Sequence, residues 1–142
     1  MIRLWGGAAM LTSGHVDIDG QRLEYRHVGP DPTSRPTLVL LHEGLGCVGL
    51  WGQFLEALNA ATGLGVFAYS RAGYGQSDKA ALPRPLDYMH VEAQDVLPKL
   101  LDATGFRRGI LVGHSDGASI AAIYVEALKP LGISAHVSMV DD

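Results

Sequence analysis

Five consecutive residues carry the most chemical information in the chain: Gly113-His114-Ser115-Asp116-Gly117, set between the apolar run Ile110-Leu111-Val112 and the apolar segment beginning at Ala118. A Gly-x-Ser-x-Gly turn entered from a strand and left by a helix holds its serine in a strained backbone conformation, with small neighbours that let strand and helix pack closely. A hydroxyl presented in that way suits nucleophilic attack on a carbonyl. The plainer reading has Ser115 merely capping the helix. Because strand and helix are both legible around it, the pattern favours the nucleophile.

Other elements must position this turn. Val16-Asp17-Ile18 and Leu23-Glu24-Tyr25 alternate apolar and polar residues around Asp19-Gly20, which predicts a hairpin with a tight turn. After a loop with Pro30, Pro32 and Pro36, the run Thr37-Leu38-Val39-Leu40-Leu41 suits a strand buried on both faces. Trp51, Phe54, Leu55 and Leu58 recur at helical spacing, and Gly63 is a fitting left-handed terminator. Val66 to Tyr69 predicts a fourth strand. A helix from about Asp87 to Ala103 should bury Ala93, Leu97, Leu100 and Leu101 and kink at Pro98. Ile110 to Val112 is a fifth strand, the helix after Ser115 is apolar nearly all round and so expected to be buried, and Ala135 to Val140 predicts a sixth strand. Strands alternating with helices imply an α/β fold with a mostly parallel sheet covered on both faces.

In three places the chain resembles the α/β-hydrolases of the serine-nucleophile type: the elbow around Ser115, Leu41-His42-Glu43-Gly44 after the third strand, and Ser70-Arg71-Ala72-Gly73-Tyr74-Gly75-Gln76-Ser77 after the fourth. The resemblance covers residues from about Ser13 onward. It implies a sheet in spatial order one-two-four-three-five-six, with the active site at the carboxyl ends of the strands. It also implies that the backbone N–H groups of Gly44 and Asp116 form the oxyanion hole, which acyl transfer needs because attack on a carbonyl builds negative charge.

The family usually has His-Gly after the third strand, whereas this chain has His42-Glu43-Gly44. The added carboxylate would oppose an oxyanion beside it, so Glu43 is expected either to pair with Arg71 or to turn into solvent. His42 and His114 are read as scaffold residues, the first in the oxyanion segment and the second pointing away from the serine. After Ser115 the only histidine is His136. It lies near the start of the sixth strand, roughly 13 Å below the strand's active-site end at about 3.3 Å per residue. Asp141 and Asp142 stand where an acid would help, but no histidine follows them. The sequence thus reads as a nucleophile and oxyanion hole without a visible general base, as if truncated after about strand six, and this polypeptide alone is expected to hydrolyse activated esters poorly or not at all.

Composition narrows the class. With 142 residues, 47% hydrophobic and 18% charged, the chain fits one globular domain, with residues 1–12 as an N-terminal extension and 13–142 as the N-terminal part of the hydrolase domain. A net charge of -4 argues against a nucleic-acid partner, and no apolar run approaches a membrane span. Cys47 is the single cysteine, so no disulfide or cysteine-based metal site is expected and a reducing, cytoplasmic setting fits. No cofactor and no metal are implied. The expected partner is a small-molecule substrate, which Tyr74 and Trp51 would line unless they are core, and an exposed sixth strand invites self-association.

Two further readings stay open. Gly44-Leu45-Gly46-Cys47-Val48-Gly49 matches G-x-G-x-x-G between a strand and a helix, the mark of an NADP-binding Rossmann-like module in which Arg71 would meet the 2′-phosphate. The chain also reads as a noncatalytic remnant, or half of a split hydrolase completed by another chain.

Overall fold

The structure, a computed structural model, describes residues 11–131 and the backbone of Val137–Val140. Six strands form one sheet in the order β1-β2-β4-β3-β5-β6, as the resemblance implies. Strands β1 (Leu11–Ile18) and β2 (Gln21–Val28) are an antiparallel hairpin. Its two turn residues, Asp19 and Gly20, both have positive φ, 53° and 85°. That backbone matches the right-handed strand twist and explains why Asp-Gly stands there. Leu11 and Thr12 pair with Val28 and His27, so the sheet opens two residues before Ser13.

Strands β3 (Thr37–Leu41), β4 (Gly65–Tyr69) and β5 (Gly109–His114) run parallel. The register sets Leu41 opposite both Tyr69 and Gly113, so the loops leaving the three strands start side by side. From β3 the chain moves to β4 on one side and then crosses to β5 on the other. Crevices at such a switch point, outside the carboxyl ends of the strands, are where open α/β sheets bind ligands.

Period-two alternation divides the core. Leu38, Leu40, Val66 and Ala68 face α1 (Phe54–Thr62), while Val39, Leu41, Phe67, Tyr69 and Leu111 face the other helical layer. That layer runs through α2 (Tyr88–Val91), a π turn (Glu92–Val96) and α3 (Leu97–Thr104), with Ala93, Leu97, Leu100 and Leu101 buried as predicted. Around Pro98, where a kink is expected, the hydrogen-bond ladder changes. The ladder widens ahead of it, Leu97 N–H donating to the Glu92 carbonyl, and a π turn is one way a helix absorbs the proline's missing donor.

Two other expectations are corrected. Trp51 belongs to a 3-10 turn, Val48–Trp51, and α1 starts only at Phe54, because Gly52 between them takes φ 57° and ψ -128°. Helix α4 (Asp116–Leu128) buries Gly117, Ala118, Ile120 and Ala121, but Ile123, Tyr124 and Val125 are only half-buried, so the helix is covered mainly in its first part. Strand β6 (Val137–Val140) pairs parallel with β5. His136, Asp141 and Asp142 lie outside the described residues.

Candidate functional site

Ser115 stands between β5 and α4 with φ 54° and ψ -116°. Such a conformation costs a non-glycine residue of order 1–3 kcal/mol. Ser115 and Asp19 are the non-glycine residues with positive φ among those described. The capping alternative fails on geometry: the Ser115 side chain makes no cap hydrogen bond, and it is the carbonyl that accepts from Ala118 N and Ser119 N at 2.9 and 3.2 Å. The hydroxyl is therefore presented at an exposed position rather than spent on the helix.

The flanking glycines make this possible. A Cβ on Gly113 would lie 2.5 Å from Ala118 N and Cα, and one on Gly117 would run into the Leu41 carbonyl oxygen. Strand β3, the elbow and α4 approach so closely that backbone occupies the space of a methyl group.

The loop after β3 is fixed from three directions. The Glu43 carbonyl accepts from His42 Nδ1 at 2.6 Å, from Gly46 N at 3.1 Å and from Arg71 Nη2 at 3.1 Å. Arg71 Nη1 donates to the His42 carbonyl at 2.7 Å, and Arg71 N donates to His42 Nε2 at 3.0 Å. Val48 N donates to Ser70 Oγ at 2.9 Å, and that hydroxyl donates to Glu24 Oε1 at 2.8 Å. Gly44 is brought against the elbow, since a Cβ there would stand 3.0 Å from Asp116 Oδ2. Among the described residues neither the Gly44 nor the Asp116 N–H donates a hydrogen bond.

The expected Glu43–Arg71 ion pair is corrected. Arg71, only 4% exposed, meets the Glu43 carbonyl, and its charge faces Asp116, Nη2 to Oδ2 at 3.9 Å. The Glu43 carboxylate turns the other way, with Oε2 3.8 Å from His114 Nδ1. Arg71 reaches down to the carbonyls because its own strand sits beside β3 in register, whereas the Glu43 side chain leaves the loop toward β5. Asp116 gains a second partner, Tyr88, whose hydroxyl donates to Oδ2 at 2.8 Å, a bond that raises the phenol's pKa. Tyr74 packs on His42 edge-on at 5.1 Å and lies under the Arg71 and Arg84 guanidinium groups at 5.2 and 4.9 Å, so it is part of the scaffold.

Both nitrogens of His42 are engaged, with Nε2 accepting, so the ring is neutral and Nδ1 is the donor. Burial and then the neighbouring Arg71 charge lower its pKa from 6.5 to about 4. The folded value lies below the unfolded one, so the unfolded chain takes up the proton first as pH falls. Stability is expected to be full above about pH 6.5 and to drain between there and about pH 4, by up to about 3 kcal/mol. Urea midpoints across that range should show the slope, and His42→Gln should flatten it.

Beneath the site the Tyr69 hydroxyl donates to Glu92 Oε2 at 2.6 Å, and burial pushes the Glu92 pKa up. The sequence singled out neither Tyr88 nor Glu92, since both lie in a helix that carries no motif. The dinucleotide reading loses its geometry, because Gly44 to Gly49 leads into a 3-10 turn and not onto a helix N-terminus.

No described helix is long and apolar enough to cross a membrane, and no group of His, Cys, Asp or Glu among the described residues is arranged to hold a metal ion. Residues 36–140 match the family model of the alpha/beta hydrolase fold. Among curated proteins, the chain is 31% identical over 114 residues to the human (lyso)-N-acylphosphatidylethanolamine lipase, covering 80% of this chain and 32% of that protein. It is 29% identical over 131 residues to a proline iminopeptidase of Lactobacillus helveticus, covering 89% and 42%. The chain thus spans between about a third and two-fifths of the length of these relatives. In fold it is similar to a predicted CIB-like hydrolase from Thermoplasma acidophilum, with TM-score 0.75 at 22% identity, over 93% of this chain and 63% of that one. Strand order, elbow and family match agree: the chain belongs to the α/β-hydrolase fold family.

Proposed function

We propose that the protein is a serine hydrolase in which Ser115 attacks the carbonyl of an ester or similar acyl substrate and forms an acyl-enzyme that water releases. The observation that carries this reading is the strained backbone at Ser115, which presents a hydroxyl not used to cap its helix. Strain of this kind persists where surrounding structure enforces it, and here that structure is the backbone packing at Gly113 and Gly117.

The Gly44 and Asp116 N–H groups are the two donors for the tetrahedral oxyanion. Their support is the placement of Gly44 against Asp116 and the absence of another described partner for either. Removing one such donor costs on the order of a hundredfold or more in rate. The Asp116 carboxylate close to them is offset by Arg71 and by the Tyr88 hydroxyl, so its charge does not face the oxyanion alone. No described residue hydrogen-bonds the Ser115 hydroxyl, and His42 is committed at both nitrogens. The general base that a serine nucleophile needs is therefore drawn from outside the described residues. The substrate is a small molecule, and we place the protein in the cytoplasm on its single cysteine.

Hydrolysis of p-nitrophenyl acetate by the purified protein tests this. Ser115→Ala is expected to remove whatever burst and turnover the protein shows and to leave the stability within about 0.5 kcal/mol of the parent, since alanine keeps the Cβ and with it the same backbone strain. Turnover undiminished in Ser115→Ala would overturn the assignment.

A further inference from the structure

The Glu43 carboxylate is the departure from the family pattern that the hydrolytic reading leaves unused. It does not serve Arg71, whose guanidinium is taken up by two carbonyls and Asp116. Its side chain is 43% exposed and lies within ion-pair distance of His114, whose Nδ1 stands 3.8 Å from Oε2, beyond hydrogen-bond reach. What it faces is a cavity of about 210 Å³ between the loop after β3 and the end of β5, walled by His42, Glu43, Cys47, Leu50, Trp51 and His114. A cavity of about 150 Å³ is enough to hold benzene, so this one has room for one ring-sized group with a short substituent.

The walls define the guest. Leu50, Cys47 and the Trp51 indole, which stacks on Phe54 at 5.8 Å, offer apolar and aromatic surface. His42 has no donor or acceptor to spare, as both ring nitrogens are bonded within the scaffold. Glu43 supplies a carboxylate to which no described residue donates a hydrogen bond. An aromatic wall beside a carboxylate attracts a cation on an apolar stem, through charge-assisted hydrogen bonds to the one and cation–π attraction to the other.

We propose that this cavity binds a compact ammonium group carried on an apolar or aromatic stem, with Glu43 as counter-ion and Trp51 as wall. Glu43 directly precedes Gly44, so the guest would sit beside the proposed oxyanion site, and the favoured substrates would be acyl compounds bearing an amine. That role rests on the function proposed above, whereas occupancy of the cavity does not.

Cys47 lines the cavity and is the only cysteine in the chain, so its modification reports occupancy. In the Ser115→Ala protein, where turnover plays no part, the rate of Cys47 modification by methyl methanethiosulfonate would be followed against benzylammonium and against benzyl alcohol, a neutral molecule of nearly the same shape. Benzylammonium is expected to protect at concentrations at least about fivefold lower than the alcohol. Glu43→Gln should erase that preference, and Glu43→Asp, which keeps the charge, should retain part of it and serves if the glutamine variant does not fold. Equal protection by both probes, or protection by neither, would overturn the proposal and leave the assignment of Ser115 untouched.

Discussion

Gly117→Ala is expected to be among the most damaging single methyl groups that can be added to this protein. The new Cβ would run into the Leu41 carbonyl oxygen and stand 2.5 Å from the Leu41 carbonyl carbon and 2.8 Å from the His42 oxygen. None of these atoms can yield cheaply. Leu41 is paired on both sides, with Tyr69 and Gly113, and the His42 carbonyl is held by Arg71. Relief would require moving α4 off the sheet and losing the burial of Ala118, Ile120 and Ala121. A loss of about 3 kcal/mol or more is expected, at the upper end for overpacking because backbone is struck and no side chain can rotate away. Urea denaturation checks it, with the exposed Ala122→Ser as a control expected within about 0.5 kcal/mol of the parent. A parental midpoint for Gly117→Ala would mean that strand and helix are not in contact at the elbow.

Arg71→Met should be nearly as severe. The side chain is buried and secures the loop after β3 by donating to the His42 and Glu43 carbonyls while it faces the Asp116 carboxylate. Methionine fills similar volume but donates nothing. The Glu43 carbonyl keeps two donors, His42 Nδ1 and Gly46 N, so the cost falls mainly on the His42 carbonyl and on Asp116. A destabilisation of about 2–4 kcal/mol follows from leaving a buried acceptor and a partly buried carboxylate without their cation. If Asp116 contributes as argued, Asp116→Asn in the Arg71→Met background should recover part of the loss, and a double-mutant cycle measures that coupling. Strict additivity of the two substitutions would show that the 3.9 Å approach carries no energy.

Where local chemistry has a single solution, the sequence is a sufficient guide. Thr37–Leu41 is continuous apolar residue and becomes the central strand within those bounds, Asp19-Gly20 forms the tight turn, and Gly63 ends α1 in the left-handed conformation with φ 71°. The elbow is equally legible, because glycines at 113 and 117 are needed for contacts that a strand–turn–helix always makes. Periodicity misleads at Trp51, where spacing suits a helix but Gly52 breaks it, and along α4, where apolar character does not say which part the sheet covers.

Side-chain partnership across the site is less legible. Arg71 follows strand β4 and Glu43 follows β3, adjacent strands, so an ion pair between them is reasonable from topology. The deciding fact is that a guanidinium reaching across from β4 meets backbone carbonyls first, which no residue pattern records. Tyr88 arrives from 28 residues before Asp116, on a helix whose orientation depends on the packing of Leu97, Leu100 and Leu101. The polar shell around the elbow is thus a product of the assembled fold, while the elbow itself is a product of its own five residues.

The central claim is that Ser115 is a nucleophile, and it is tested most directly by incubating the folded protein with a fluorophosphonate and mapping the adduct by peptide mass spectrometry. The account predicts that the label the protein takes up falls on Ser115, and that this adduct is absent when the protein is unfolded in urea before labelling and absent from Ser115→Ala. Label on the folded protein that falls on Ser119 or Ser70 as much as on Ser115, or Ser115 labelling that survives unfolding, would contradict it.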